Sequence, residues 1–131
     1  MYPDVEQIKQ KRILLLHLVS LGDCLFATAV ARQIKHDFPN CHLTWAISSQ
    51  CSQVARNNPY VDEIWEVYTE KMNDAFGDAW KETKKKAIEK KENGFYDYVF
   101  FTQINPDNFY NYDGTIRSTI FRAYPNPITV L

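Results

Sequence analysis

The run Ile13-Leu14-Leu15-Leu16-His17-Leu18 constrains this chain more than any other feature. A strand that hides one face and wets the other alternates apolar and polar residues. Here consecutive positions are apolar, so both faces of the strand need cover. That pattern belongs in the middle of a parallel sheet with helices on either side. The longest wholly apolar piece, Ile13 to Leu16, is far too short to span a bilayer.

The rest of the chain alternates in the way such a sheet demands. After Val19-Ser20-Leu21-Gly22 the spacing predicts a helix from about Asp23 to Phe38, with Phe26, Val30, Ile34 and Phe38 recurring every fourth residue. Pro39-Asn40 stops it. His42 to Ile47 reads as a second strand, Ser48 to Asn57 as a short helix and Asn58-Pro59 as a turn. Val61 to Val67 reads as a third strand. A helix from about Asn73 to Glu92 follows, with Phe76, Trp80, Thr83 and Ala87 on one face and Asn93-Gly94 as its C-cap. Tyr96 to Phe101 is a fourth strand. A polar, aromatic loop leads to a helix from about Thr115 to Tyr124, and Ile128 to Leu131 reads as a fifth strand.

The expected fold is therefore a single Rossmann-like α/β domain over residues 1–131. Its five parallel strands stand in the order 3-2-1-4-5, with helices on both faces. A length of 131 residues fits one such domain. The fifth strand runs to the last residue, so a longer parent protein is expected.

Composition excludes several classes of function. A net charge of −1 gives no general attraction to nucleic acid. Cys24, Cys41 and Cys51 contain no C-x-x-C pair, and His17, His36 and His42 do not join them at zinc-like spacing. No metal site and no cofactor are expected, and the cysteines read as free thiols. The polar start MYPDVEQIKQKR holds no signal-like apolar stretch, which makes the cytoplasm the default location.

In such a sheet ligands bind beyond the carboxyl ends of the strands, where the strand order reverses. Here that crevice lies between strands one and four, bounded by Val19 to Asp23 and by Gln103 to Thr115. The first turn holds only Gly22, and no glycine-rich phosphate loop occurs anywhere in the chain. Asp23 also stands where a pyrophosphate would need the positive end of the helix. A nucleotide site in this domain is disfavoured. Ser20-Leu21-Gly22-Asp23 fits a capping pattern, which ties off the helix start. A carboxylate at a crevice mouth can equally serve as a general base, with Gly22 leaving its approach open.

The stretch Ile13 to Asp23 resembles the opening of glycosyltransferase family 9, the heptosyltransferases of lipopolysaccharide core assembly. Phe38-Pro39-Asn40, the segment Asn58 to Glu63, and Arg117-Ser118 fall where that family carries similar segments. The resemblance implies a GT-B glycosyltransferase, with two Rossmann-like domains facing across a cleft. This chain would be the N-terminal, acceptor-binding half. The nucleotide-sugar donor, typically an ADP-heptose, would sit on a C-terminal domain outside this sequence. The resemblance implies that Asp23 is the base of an inverting transfer without a metal, and that Ser20, Leu21, Gly22 and Arg117 contact the acceptor.

Two departures stand out. The family commonly carries Arg or Lys where this chain has His17. The loop before Arg117 is longer than usual and holds Asn105, Asn108, Tyr110 and Tyr112. Such groups suit a sugar's hydroxyls and apolar faces, and they also suit an ordinary surface loop. Lys81, Lys84, Lys85, Lys86, Lys90 and Lys91 crowd one helix. They could touch an anionic inner membrane carrying a lipid-linked acceptor, although the interleaved Glu82, Glu89 and Glu92 suit a solvated face. Two further readings stay open: a stand-alone Rossmann-like binding module without catalysis, and half of another sugar-nucleotide enzyme.

Overall fold

The computed structural model of the chain describes residues 10–19, 21–69, 77–103 and 120–129. Among the described residues there are four strands: β1 (Arg12–Leu16), β2 (His42–Ser48), β3 (Glu63–Val67) and β4 (Tyr98–Phe101). They form one parallel sheet in the order β3-β2-β1-β4. Leu14 on β1 stands level with Thr44 on β2 and Val99 on β4. Three helices connect them: α1 (Leu21–Asp37), α2 (Ser52–Arg56) and α3 (Asp78–Glu92).

Strand β1 is covered on both faces. Ile13, Leu14, Leu15 and Leu16 are all fully buried. Ile13 and Leu15 point into one core with Leu43, Trp45 and Ile47, roofed by α1 and α2. Leu14 and Leu16 point into a second core with Ala46, beneath Trp80 and Ala87 of α3. The two-residue period of the strand thus splits one apolar run between two cores.

Helix α1 buries Cys24, Ala27, Val30, Ala31 and Ile34. The expected stripe included Phe26, but that ring is exposed. Four residues advance an α-helix by about 400°, so a strict every-fourth-residue row drifts around the axis and leaves the core face. Ala27 and Ala31, small residues expected to allow close packing on the sheet, take the contact together with Cys24 and let the helix lie close to it. Helix α3 ends as expected at Asn93-Gly94. Gly94 adopts φ 81°, and the N–H groups of Gly94 and Phe95 donate to the carbonyls of Lys91 and Lys90 at 3.0 and 2.8 Å. This is the paired closure that a left-handed glycine permits.

The fifth strand is a correction. Ile128 and Thr129 are not part of the sheet, and residues 130–131 lie outside the described residues. The Thr129 N–H donates to the Gln33 side-chain oxygen at 2.8 Å. Tyr124 Oη donates to Asp37 Oδ2 at 2.5 Å, and Asn126 Nδ2 donates to the same oxygen at 3.1 Å. Gln33 of α1 thus takes the Thr129 N–H that a strand beside β4 would use, and Asp37 anchors the segment just before it.

The lysines of α3 divide by role. Lys86 pairs with Glu82 at 3.2 Å. Lys90 stands over the rings of Phe95 and Trp65 at 4.8 and 5.1 Å, and Lys84 over Phe101 at 5.9 Å. Trp45 and Trp80 are buried in the two cores. Among the described residues no helix is long and apolar enough to cross a membrane.

Trp45 joins packing to hydrogen bonding, because its indole Nε1 donates to the buried His17 carbonyl at 3.0 Å. Trp45→Phe should lower unfolding free energy by about 2–4 kcal/mol, from the cavity and the orphaned carbonyl together. Urea denaturation checks this. A loss under about 0.5 kcal/mol would show that the core closes around the smaller ring.

Candidate functional site

The carboxyl ends of β1 and β4 lie side by side, Leu16 level with Phe101, and buried polar groups join the residues that follow them. The His17 N–H donates to the Ala46 carbonyl at 3.1 Å. The N–H groups of Leu18 and Val19 both donate to Gln103 Oε1, each at 3.0 Å. One amide oxygen on the exit of β4 therefore satisfies two successive donors in the turn after β1. Without it, two buried N–H groups would lack an acceptor. In the sequence Gln103 marks only the boundary of the crevice. A lone Gln after a strand carries no distinctive signal, so its role becomes visible only in three dimensions.

His17 lies inside the fold rather than on the crevice wall. Its ring is fully buried, and Nδ1 stands 2.9 Å from Thr102 Oγ1. Burial pushes its pKa down to about 3, so the imidazole is neutral at any physiological pH. A neutral, enclosed ring ties β1 to β4. It does not supply the charge that an Arg or Lys would offer at this position.

Leu21, Gly22 and Asp23 form the first turn of α1. Leu21 is exposed, and a Cβ built on Gly22 would meet nothing within 4 Å. Packing therefore does not demand glycine there, and the space beside it is open. Asp23, the third residue of the helix, is half-buried. Desolvation raises its carboxyl above the usual range. The turn thus holds a carboxylate whose proton affinity is increased, beside open space. Such a group accepts a proton more readily than a fully hydrated carboxylate.

Cys24, Cys41 and Cys51 are buried free thiols, and burial raises the Cys24 thiol well above its ordinary value. Among the described residues no group of His, Cys, Asp or Glu is placed to hold a metal ion. Ser20, Asn105, Asn108, Tyr110, Tyr112 and Arg117 lie outside the described residues. The structure therefore brings together Leu21, Gly22 and Asp23, and sets His17 apart in the interior.

The depressed pKa of His17 has a signed consequence. Unfolded His takes up a proton below about 6.5, and the folded ring resists until about 3. Stability from this group is complete above about 6.5 and is lost as pH falls toward about 3. The unfolding free energy of wild type minus that of His17→Gln should therefore shrink between pH 7 and pH 4.5, at up to about 1.4 kcal/mol per pH unit. Urea titrations at matched ionic strength measure it. A pH-independent difference would mean that His17 is not buried neutral.

No protein-family model matches this sequence, and no curated protein matches it. A solved structure described as the glycosyl transferase family 9 from Veillonella parvula DSM 2008 does superpose on it, with a TM-score of 0.56 and 24% sequence identity. The match covers 84% of this chain and 29% of that one, so the chain spans under a third of the length of the structure it resembles. The parallel α/β fold described above is thus shared with part of a family 9 glycosyltransferase structure.

Proposed function

We propose that this chain is the acceptor-side half of an inverting GT-B glycosyltransferase of the family 9 kind, with Asp23 as its general base. The observation that carries the reading is the half-buried carboxylate on the first turn of α1, its pKa raised by desolvation, beside the open space at Gly22. The fold shared with a family 9 structure and the sequence resemblance around Asp23 support it.

In this reading an acceptor hydroxyl lies against Leu21, Gly22 and Asp23. Its oxygen attacks the anomeric carbon of a nucleotide sugar of ADP-heptose type, which a second domain holds. The new glycosidic bond forms as the bond to the diphosphate breaks, and the hydroxyl proton passes to Asp23. The acceptor is a lipopolysaccharide core or a related lipid-linked glycan, which places the work at the cytoplasmic face of the inner membrane. A carboxylate at the amino end of α1 repels the donor's diphosphate, so the donor stays on the other side of the cleft.

The test compares wild type and Asp23→Asn in the protein that carries both domains, with ADP-heptose and a defined core acceptor. The variant's kcat should fall by roughly 10²–10⁴-fold, with acceptor affinity less affected. Because Asp23 works ionised, wild-type activity should decline as pH falls, with a midpoint above the ordinary Asp value of about 3.9. Melting temperature serves as the control for folding. A well-folded variant that keeps more than about a third of wild-type kcat would remove Asp23 from the mechanism.

A further inference from the structure

A second concavity lies on the opposite side of α1. Leu25, Ala29, Val54 and Pro59 form an apolar floor between α1, α2 and the turn that leads to β3. The groove encloses about 600 Å³, within the range of sites for small organic ligands. Leu25 is 57% exposed, so its side chain is accessible along this floor. Arg32 stands nine residues after Asp23, which is about 180° around the helix axis. The groove is therefore not the Asp23 crevice.

The polar groups around this floor are few and specific. The Arg32 guanidinium stands over the Tyr60 ring, 5.9 Å from its centroid. Its neighbours Lys35 and Arg56 are paired with Asp62 and Glu66, but Arg32 has no carboxylate partner among the described residues. The side-chain amides of Gln53 and Asn57 complete the rim. The site thus offers one fixed positive charge, an aromatic face and an extended apolar trough.

We infer that this groove binds an amphipathic monocarboxylate, its hydrocarbon body on Leu25, Ala29, Val54 and Pro59 and its head on Arg32. A planar guanidinium matches a carboxylate through two parallel N–H···O bonds. One guanidinium balances one negative charge. A phosphate monoester would bring a second charge that only neutral groups, the Gln53, Asn57 and Asn58 amides and the Thr28 hydroxyl, could meet. The inference goes beyond the glycosyl-transfer reading and does not depend on it, since the groove and Asp23 occupy opposite sides of α1.

The test needs the 131-residue chain and no enzymatic assay. Dodecanoate below its micelle concentration is titrated by calorimetry, with backbone amide shifts followed by NMR. Saturable one-to-one binding is expected, with the largest shifts at Ala29, Asn57 and Tyr60. Arg32→Gln should weaken it roughly tenfold to a hundredfold, the effect of losing a charged hydrogen bond. Ala29→Phe, which fills the trough from a half-buried position in its lining, should abolish binding while the melting temperature stays close to wild type. Acetate should not saturate, because the floor supplies most of the contact. Equal binding of neutral dodecyl maltoside would overturn the role of Arg32. Tighter binding of dodecyl phosphate would overturn the carboxylate. Absence of saturable dodecanoate binding, or binding that both variants leave intact, would overturn the site.

Discussion

Everything in this fold depends on hiding β1 from water on both sides. A strand with four successive fully buried residues needs a neighbour along each edge and a layer above each face. Parallel pairing with β2 and β4 fills the edges. Helices α1 and α2 roof one face, and α3 the other. Each crossover must then run the length of the sheet, and so the loops that follow the strands gather at one end. The crevice is a by-product of that burial. In a doubly wound sheet it lies at that end, where the strand order reverses beside the central strand.

That geometry also accounts for the polar chemistry at the crevice. The turn after β1 brings backbone donors to the end of the central strand, away from the regular ladder. Gln103 collects two of them, and the His17 ring, bonded to Thr102, locks the same two strands together one residue earlier. With the turn held from inside, α1 starts from a fixed place and its first turn faces outward. Asp23 is then only partly shielded. Its carboxyl is pushed upward without being sealed from solvent, as the proposed role of a base requires. A fully buried carboxylate could not meet a substrate, and a fully hydrated one would be a weaker base.

Much of this is legible in the residues, and the exceptions have physical causes. The apolar run from Ile13 announces a two-faced strand because no other arrangement satisfies it. Asn93-Gly94 announces a helix end because glycine alone enters the left-handed region cheaply. Strands two to four stand out by their β-branched and aromatic content. The fifth strand fails because Ile128 and Thr129 look like strand locally, whereas Gln33, 96 residues before Thr129, takes the N–H of Thr129. Phe26 fails because a four-residue repeat imitates the helical period only briefly. At the site, Asp23 and Gly22 can be found by position and family resemblance. Gln103 and the enclosure of His17 cannot, since both depend on what a distant strand end places opposite them.

The four-stranded order leaves the two margins of the sheet chemically unequal. β3 presents Glu63 and Glu66, the first beside His42 and the second paired with Arg56. A second chain docking along that margin would meet fixed charge. β4 reads Tyr-Val-Phe-Phe, with no charge in the strand, and among the described residues β1 is its only sheet neighbour. A strand edge without charge and flanked by aromatic side chains is a template for edge-to-edge growth for as long as it stays uncovered. During synthesis or refolding, before the segments that follow have settled, self-association has an open route along β4 and a guarded one along β3. That uncharged margin is the same strand whose exit residue, Gln103, holds the turn after β1.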